Sequence, residues 1–181
     1  MRSRTYSSEG VILARRNYQE ADRIISLYTR DQGRITLLAK SIRRPKSRKR
    51  GHLEIFSHTR FQATSTKGID LMTEAEVIDN FQKIRKNLKK VSLAYYFCEV
   101  VGKITHEGEP NVEVYSLLLE NLERLKEEVE LKKLRLTFVV RLLTILGYWP
   151  QGKTLLDPDK KLEEVVERQI SSFRVGKILS A

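Results

Sequence analysis

The chain has 181 residues, a formal net charge of +11 and 31% charged residues, with 40% of its residues apolar. This composition is typical of a folded, water-soluble protein of one domain or two small ones, and it excludes a disordered chain. Residues 40–50 carry seven cations and no acid, which leaves a net charge of +4 for the remainder. Because so much charge is concentrated in one segment, the sequence predicts a polyanionic partner, of which nucleic acid is the commonest.

The cysteine content excludes several kinds of site. A single cysteine, Cys98, permits neither an internal disulfide nor a zinc site built on four cysteines or on two cysteines and two histidines. Its apolar neighbours, residues 94–97, predict a buried thiol in a reducing compartment. We find no signal peptide and no run long enough to span a bilayer, so we expect a cytoplasmic, nucleoid-associated protein without a membrane partner or a cofactor.

Residues 1–80 are predicted to form β structure. Short runs rich in β-branched and aromatic residues alternate with turn signals such as Asp31-Gln32-Gly33 and Thr66-Lys67-Gly68. Five strands in fewer than 80 residues favour a small closed barrel, with the five-stranded OB-fold as the leading candidate. The expected strands lie at residues 11–14, 24–28, 35–39, 53–64 and 69–77.

Residues 81–181 have helical periodicity and are predicted to form an all-helical domain, so the fold class is α+β. The first apolar stripe runs continuously from Phe81 to Ile104, and a second begins after Pro110-Asn111. A third covers residues 131–145 and ends at Gly147. Asp157 followed by Pro158 is typical of an N-cap and first helical position, which predicts a fourth helix there.

The basic segment is the main candidate for binding nucleic acid. It follows the third expected strand and contains Pro45 and Gly51, which together with its charge predict an exposed loop. Its cations would neutralise phosphates without selecting bases. A solvated surface loop or a localisation signal is the alternative. Tyr18 would either stack on a base or pack on the barrel rim. The candidate DNA-binding residues are Arg15, Arg16, Tyr18, Arg34, Lys40, Arg43, Arg44, Lys46, Arg48, Lys49 and Arg50.

Evidence for catalysis is weak. The chain has no glycine-rich phosphate loop and no recognisable hydrolase or metalloprotease motif. Glu20 and Asp22 form a close acidic pair that could hold Mg²⁺ in a small nuclease. A two-metal site usually needs more carboxylates, however, and acids in a turn that pair with basic neighbours such as Arg23 are the favoured explanation. We therefore expect a protein that is not an enzyme. A metal-dependent nuclease and an RNA-binding OB-fold protein, for example one associated with the ribosome, are the alternatives.

The third helix combines basic and apolar residues. Arg135, Phe138 and Arg141 could line a pocket with an apolar floor and a basic rim, suited to an acidic peptide that ends in an aromatic residue. A core helix with a charged outer face is the alternative, and the sequence leaves the two open.

Two stretches of the sequence carry a family resemblance. The first begins at Glu20-Ala-Asp22-Arg and continues through Gly33 to Leu37-Leu-Ala39-Lys40-Ser-Ile-Arg43-Arg44. The second contains Leu134-Arg135, Phe138 and Arg141-Leu-Leu143, and ends at Leu146-Gly147-Tyr148-Trp-Pro150. Both resemble the RecO-type bacterial recombination and DNA repair mediators, the first in their N-terminal OB domain and the second in their helical domain.

The resemblance implies a DNA-binding protein that anneals complementary single strands and, with RecR, helps load RecA onto DNA coated with single-stranded-DNA-binding protein. It also implies contacts to single-stranded and possibly double-stranded DNA on the basic face of the barrel. The helical domain would bind the acidic, phenylalanine-ended tail of single-stranded-DNA-binding protein near Arg135 and Arg141.

This sequence departs from the family pattern at several positions. Ser41 stands where the family usually has glycine, and Val139 replaces a usual acid. The longer segment that commonly follows Pro150, a four-cysteine zinc module in some members, has no counterpart here, and residues 172–179 match the family's last basic motif poorly. RecR contacts that depend on that segment are therefore left open.

Overall fold

The computed structural model describes residues 5–42 and 53–166. Five strands form a closed barrel in the order β1-β2-β3-β5-β4, with β1 paired to both β2 and β4. All neighbours are antiparallel except β3 and β5, which are parallel. This is the strand order of an OB-fold, so the predicted barrel is confirmed. The strands are β1 (Thr5–Tyr18), β2 (Asp22–Thr29), β3 (Gly33–Ala39), β4 (His58–Thr64) and β5 (Asp70–Asp79).

Strands β1 and β4 differ most from the sequence prediction, and the other three differ by one or two residues at their ends. Strand β1 is much longer than residues 11–14, because its first half pairs with β4 and its second half with β2 across a bulge between Ile12 and Ala14. Strand β4 begins at His58 and not at residue 53. Residues 53–57 form a turn in which Phe56 has a φ of 57° and its N–H donates to the Ile12 carbonyl at 2.8 Å. Burial of Leu53 and Phe56, not strand pairing, explains the apolar pattern there.

Five helices follow the barrel: α1 (Gln82–Arg85), α2 (Leu88–Ile104), α3 (Val112–Leu125), α4 (Leu131–Ile145) and α5 (Pro158–Val165). The prediction of one continuous first helix is wrong, because the side chain of Asn87 accepts a hydrogen bond from the Lys90 N–H and starts α2 as a separate helix. Asn111 and Asp157 cap α3 and α5 as their sequence context predicted. Within the described ranges, no helix is both long enough and apolar enough to cross a membrane.

Two apolar cores organise the molecule. One fills the barrel, with Ile25, Leu27 and Phe61 among its members. The other lies between the outside of the barrel and the helices, where Val11, Tyr28 and Phe56 pack with residues of all five helices. Because this second core uses side chains from both parts, the helices are held against the barrel by apolar burial. Cys98 is buried in it, and burial raises the pKa of its thiol to about 12.

Backbone contacts add to this junction at the start of β3. The α2–α3 connection approaches β3 so closely that the Gly108 N–H donates to the Arg34 carbonyl at 2.9 Å. Gly33 has a φ of 67°, and a Cβ built on it would lie 2.1 Å from the carbonyl oxygen of Glu109. Glycine is therefore required here both by the turn and by the approach of the neighbouring connection.

We expect Gly33→Ala to lower the free energy of unfolding by about 2 kcal/mol or more, since it adds left-handed strain of ~1–2 kcal/mol and forces the α2–α3 connection away. Urea denaturation followed by circular dichroism measures this loss. Gly68→Ala is the matched control, because a Cβ at Gly68 meets nothing within 4 Å. Equal stability of the Gly33 and Gly68 variants would contradict the role given to this contact.

Candidate nucleic-acid interface

One end of the barrel brings together Tyr18 and Lys40, the first residue of the basic segment. Tyr18, the last residue of β1, pairs with Asp22, and the next residue of β2, Arg23, pairs with Ala39. Both Tyr18 and Lys40 are exposed, and 41% of the surface of Tyr18 is accessible to water. The remaining cations of the segment, Arg43, Arg44, Lys46, Arg48, Lys49 and Arg50, lie outside the described residues.

Asp22 holds the chain where it leaves this end of the barrel. One of its carboxylate oxygens accepts a hydrogen bond of 2.7 Å from the Ser41 N–H. Glu20 lies in the exposed β1–β2 turn. In the part of the chain that the structure describes, no group of three or more His, Cys, Asp or Glu side chains is arranged to hold a metal ion. The hydrogen bond from Ser41 gives Asp22 a structural role at this end of the barrel.

Ser41 adopts a left-handed conformation, with a φ of 55°. A residue with a Cβ pays a steric penalty in this conformation, which glycine would avoid.

We expect Ser41→Gly to raise the free energy of unfolding by up to about 1 kcal/mol, because relief of the left-handed strain exceeds the added flexibility of the unfolded chain. The Asp22 hydrogen bond is to the backbone and is retained. Thermal unfolding measures the change, and Ser41→Ala serves as the control that keeps a Cβ. A glycine variant no more stable than the alanine variant would show that φ imposes no strain here.

A cleft between the barrel and α2 collects three of the predicted arginines. Arg15, Arg16 and Arg34 line it together with Lys103 of α2, a cation that the sequence prediction missed. The cleft has a volume of about 440 Å³.

The four cations of the cleft differ in how far their charge is already compensated. Arg15 forms an ion pair of 2.5 Å with Glu54, and Lys103 forms one of 2.7 Å with Glu99. Arg16 is exposed and forms no ion pair with any described residue. The Nε atom of Arg34 is inaccessible to water and has no hydrogen-bond partner within residues 5–42 and 53–166. Arg16 and Arg34 both lack an ion pair with a described residue, so theirs are the charges of the cleft that are left for an anion, although the inaccessible Nε of Arg34 is not itself a contact for a ligand.

The predicted peptide-binding residues occupy different environments. Arg135 is only 3% exposed and Phe138 is fully buried. Neither side chain therefore lies at the surface, where the predicted peptide pocket would need them. Arg135 is held by Asp159 of α5 through contacts of 2.5 and 2.8 Å. Burial opposes its charge, but the hydrogen bonds and charge of Asp159 outweigh burial and raise the pKa of Arg135. This pair was not apparent from the sequence, because the two residues are 24 positions apart.

Arg141 is exposed at the edge of a groove between α3 and α4. Its guanidinium binds Glu120 at 2.8 Å, and this hydrogen bond lowers the pKa of Glu120. The groove has a volume of about 500 Å³. Its lining is largely apolar or small and consists of Val112, Glu113, Ser116, Leu117, Val140, Arg141, Thr144, Ile145, Gln151 and Gly152.

A closed five-stranded barrel with exposed cations, packed against a helical bundle, defines the OB-fold proteins that carry a helical extension. The family description "Recombination protein O N terminal" matches residues 1–81, and "Recombination protein O C terminal" matches residues 85–154. The chain belongs to the RecO family, as the motifs had indicated.

Several curated relatives carry the name DNA repair protein RecO. Those from Symbiobacterium thermophilum and Pelotomaculum thermopropionicum are 32% and 34% identical over 80% of this chain. One from Dehalococcoides mccartyi is 33% identical over 87% of it. The chain spans 56–62% of the length of these three relatives.

Proposed function

We propose that this protein is a non-catalytic DNA-binding mediator of recombinational repair. It binds single strands through the cations of the barrel and anneals complementary strands. Base pairing supplies the specificity, and the protein reduces the repulsion between phosphates. Membership of the RecO family supports the proposal, and the observation that carries it is the position of Lys40, the first cation of the basic segment, at the same end of the barrel as the exposed Tyr18.

We propose a division of labour between residues 1–80, which bind DNA, and residues 81–181, which bind protein partners. Single-stranded-DNA-binding protein, through its C-terminal tail, and RecR are the direct partners, and RecA is loaded indirectly. The change from strand to helix between Asp79 and Gln82 supports a boundary between two parts, and the groove beside Arg141 supports a partner site on the helical part.

The direct test is annealing of two labelled complementary strands coated with single-stranded-DNA-binding protein, with and without that protein's tail. We expect this chain to accelerate annealing, and to do so more strongly when the tail is present. New short fragments in the presence of Mg²⁺ or Mn²⁺ would instead identify a nuclease. Preferential binding of RNA in competition would identify an RNA-binding protein.

The proposed peptide site is centred on Arg141, because Arg135 and Phe138 are buried. An acidic peptide would replace Glu120 as the partner of Arg141, while its terminal phenylalanine enters the apolar groove between α3 and α4. Arg135 and Phe138 would support this site from within α4, since Phe138 lies in the core behind it.

We expect Arg141→Ala to weaken binding of an acidic, phenylalanine-ended peptide by about tenfold, the effect of one lost charge-assisted hydrogen bond. Glu120→Gln removes the competing carboxylate and should tighten binding by about twofold to fivefold, in line with an exposed ion pair. Fluorescence anisotropy of the labelled peptide measures both. Glu74→Gln, on the exposed side of β5, is the control, and equal affinity in all variants would rule out this groove.

A further inference from the structure

The cleft between the barrel and α2 has features that a merely electrostatic DNA-binding surface does not require. Its volume of about 440 Å³ lies in the range that proteins use for small ligands. One wall is the outer face of β1, β2 and β3, and the other is α2. The lining residues are Leu13, Ala14, Arg15, Arg16, Ile24 and Ser26, then Arg34 and Thr36, and from α2 Cys98, Glu99, Gly102 and Lys103.

Small side chains make the centre of this cleft open. The strand register places Ala14 beside Ser26 and Ser26 beside Thr36, which gives a row of small residues across three strands. Opposite this row, Gly102 leaves α2 without a side chain, and a Cβ built there would meet only the Leu13 Cδ1 atom, at 3.7 Å. The result is a slot with apolar walls and two hydroxyl groups, a shape that suits a planar ring.

The two cations without compensating partners lie at opposite ends of this row. Arg16 pairs with Ile24 of β2, and Arg34 pairs with Tyr28, so Ser26 lies midway between them. Ile24 and Tyr28 are ~13 Å apart along β2, and because Arg16 and Arg34 lie one strand to either side, ~4.8 Å each, their Cα atoms are ~16 Å apart. Arginine side chains reaching inward from both ends could therefore contact the phosphates on either side of one nucleotide. Glu99 also faces the cleft, but its carboxylate is bound to Lys103.

We propose that this cleft is a nucleotide subsite, in which one base of a single strand enters the slot between Ser26 and Gly102 while its flanking phosphates bind Arg16 and Arg34. The inference rests on the proposed function and adds to it a contact with the base. Since one wall belongs to α2, a bound nucleotide touches both the barrel and the helical part. The helices are thus part of the DNA-binding surface as well as a partner-binding unit.

The test compares a fluorescent 15-mer of deoxythymidine with a 15-mer of abasic deoxyribose phosphates of equal charge, titrated with the full chain. The wild type should prefer the thymidine strand. Gly102→Leu fills the slot and should reduce that preference by about fivefold, the effect of returning ~40 Å² of base surface to water. The slope of log affinity against log salt should not change, because no phosphate contact is lost.

Gly68→Leu is the matched control and should behave as the wild type, since Gly68 lies outside the cleft and a Cβ built there meets nothing within 4 Å. Arg34→Ala should instead change only the salt dependence. The slope of log affinity against log salt should become less steep by about 0.7, while the preference for the thymidine strand is retained. If Gly102→Leu fails to fold by circular dichroism, Ser26→Leu fills the slot from the barrel side and replaces it in the same titration.

The outcomes separate this inference from the proposed function. If Gly102→Leu prefers the thymidine strand over the abasic strand as strongly as the wild type does, the nucleotide subsite is wrong and the proposed DNA binding is unaffected. Binding of neither strand by the wild type would overturn the proposed function itself. Displacement of the thymidine strand by micromolar thymidine monophosphate would show that the cleft takes free nucleotides, which overturns its assignment to a strand.

Discussion

We expect single-strand binding to depend less on salt when alanine replaces the six cations that follow Ile42 in the basic segment. The slope of log affinity against log salt should become less steep by about 4. Each cation that neutralises one phosphate of a single strand contributes ~0.7 to that slope. When the salt concentration rises fourfold, the fold-loss of affinity should therefore be about 250 times larger for the wild type than for the variant. The six residues are Arg43, Arg44, Lys46, Arg48, Lys49 and Arg50.

Fluorescence titrations at four or more salt concentrations measure this effect. The matched control replaces only the four arginines of the segment by lysine, which keeps the charge and should keep the slope. An unchanged slope in the alanine variant would show that the segment is a solvated loop or a localisation signal and that the phosphates are bound elsewhere on the barrel.

Asp159→Ala is expected to lower the free energy of unfolding by about 3 kcal/mol. It removes the carboxylate that makes two contacts with Arg135 and leaves a guanidinium that is 3% exposed without its charged partner. The contacts that remain are weaker: the Tyr96 hydroxyl accepts a hydrogen bond of 3.5 Å, the guanidinium carbon lies 5.6 Å from the Tyr96 ring centroid, and the Nε atom has no hydrogen-bond partner among the described residues. Urea denaturation measures the loss.

The double variant Arg135→Met, Asp159→Ala distinguishes charge burial from simple loss of contact. Replacing both partners of a buried pair by apolar residues is often neutral, so the double variant should recover most of the stability lost by Asp159→Ala. Lys160→Ala, an exposed neighbour on α5, is the control. If the double variant is as unstable as Asp159→Ala, the buried charge of Arg135 is not the cause of the loss. The contacts of Asp159 themselves would then stabilise α5.

The local features of the fold were predictable because they depend on neighbours in sequence. Asn111 and Asp157 cap their helices, and Gly147 ends α4 with a φ of 78°. The prediction failed where tertiary contacts overrode local pattern. Residues 53–57 have the apolar composition of a strand, yet they form a turn whose Phe56 ring lies under Arg85, with the guanidinium carbon 3.9 Å from its centroid.

The candidate site was predictable in its charge and less so in its shape. Arg15, Arg16 and Arg34 were expected to extend one basic surface, and the structure places them around one cleft. Lys103 and Gly102 escaped prediction because nothing in the sequence shows which face of α2 lies over the barrel. Arg135 was misplaced for a related reason, since its charge indicated exposure while its partner lies in another helix.

The sequence by itself determined that the protein carries a concentrated basic segment, that five strands precede the helices, and that the chain resembles the RecO family. These properties follow from composition, periodicity and short motifs, which are local. Only the tertiary structure decided which charges are already compensated, which remain available, and where α2 leaves a slot against the barrel. Burial and pairing depend on residues distant in sequence that folding brings within a few ångströms, as Arg135 and Asp159 show.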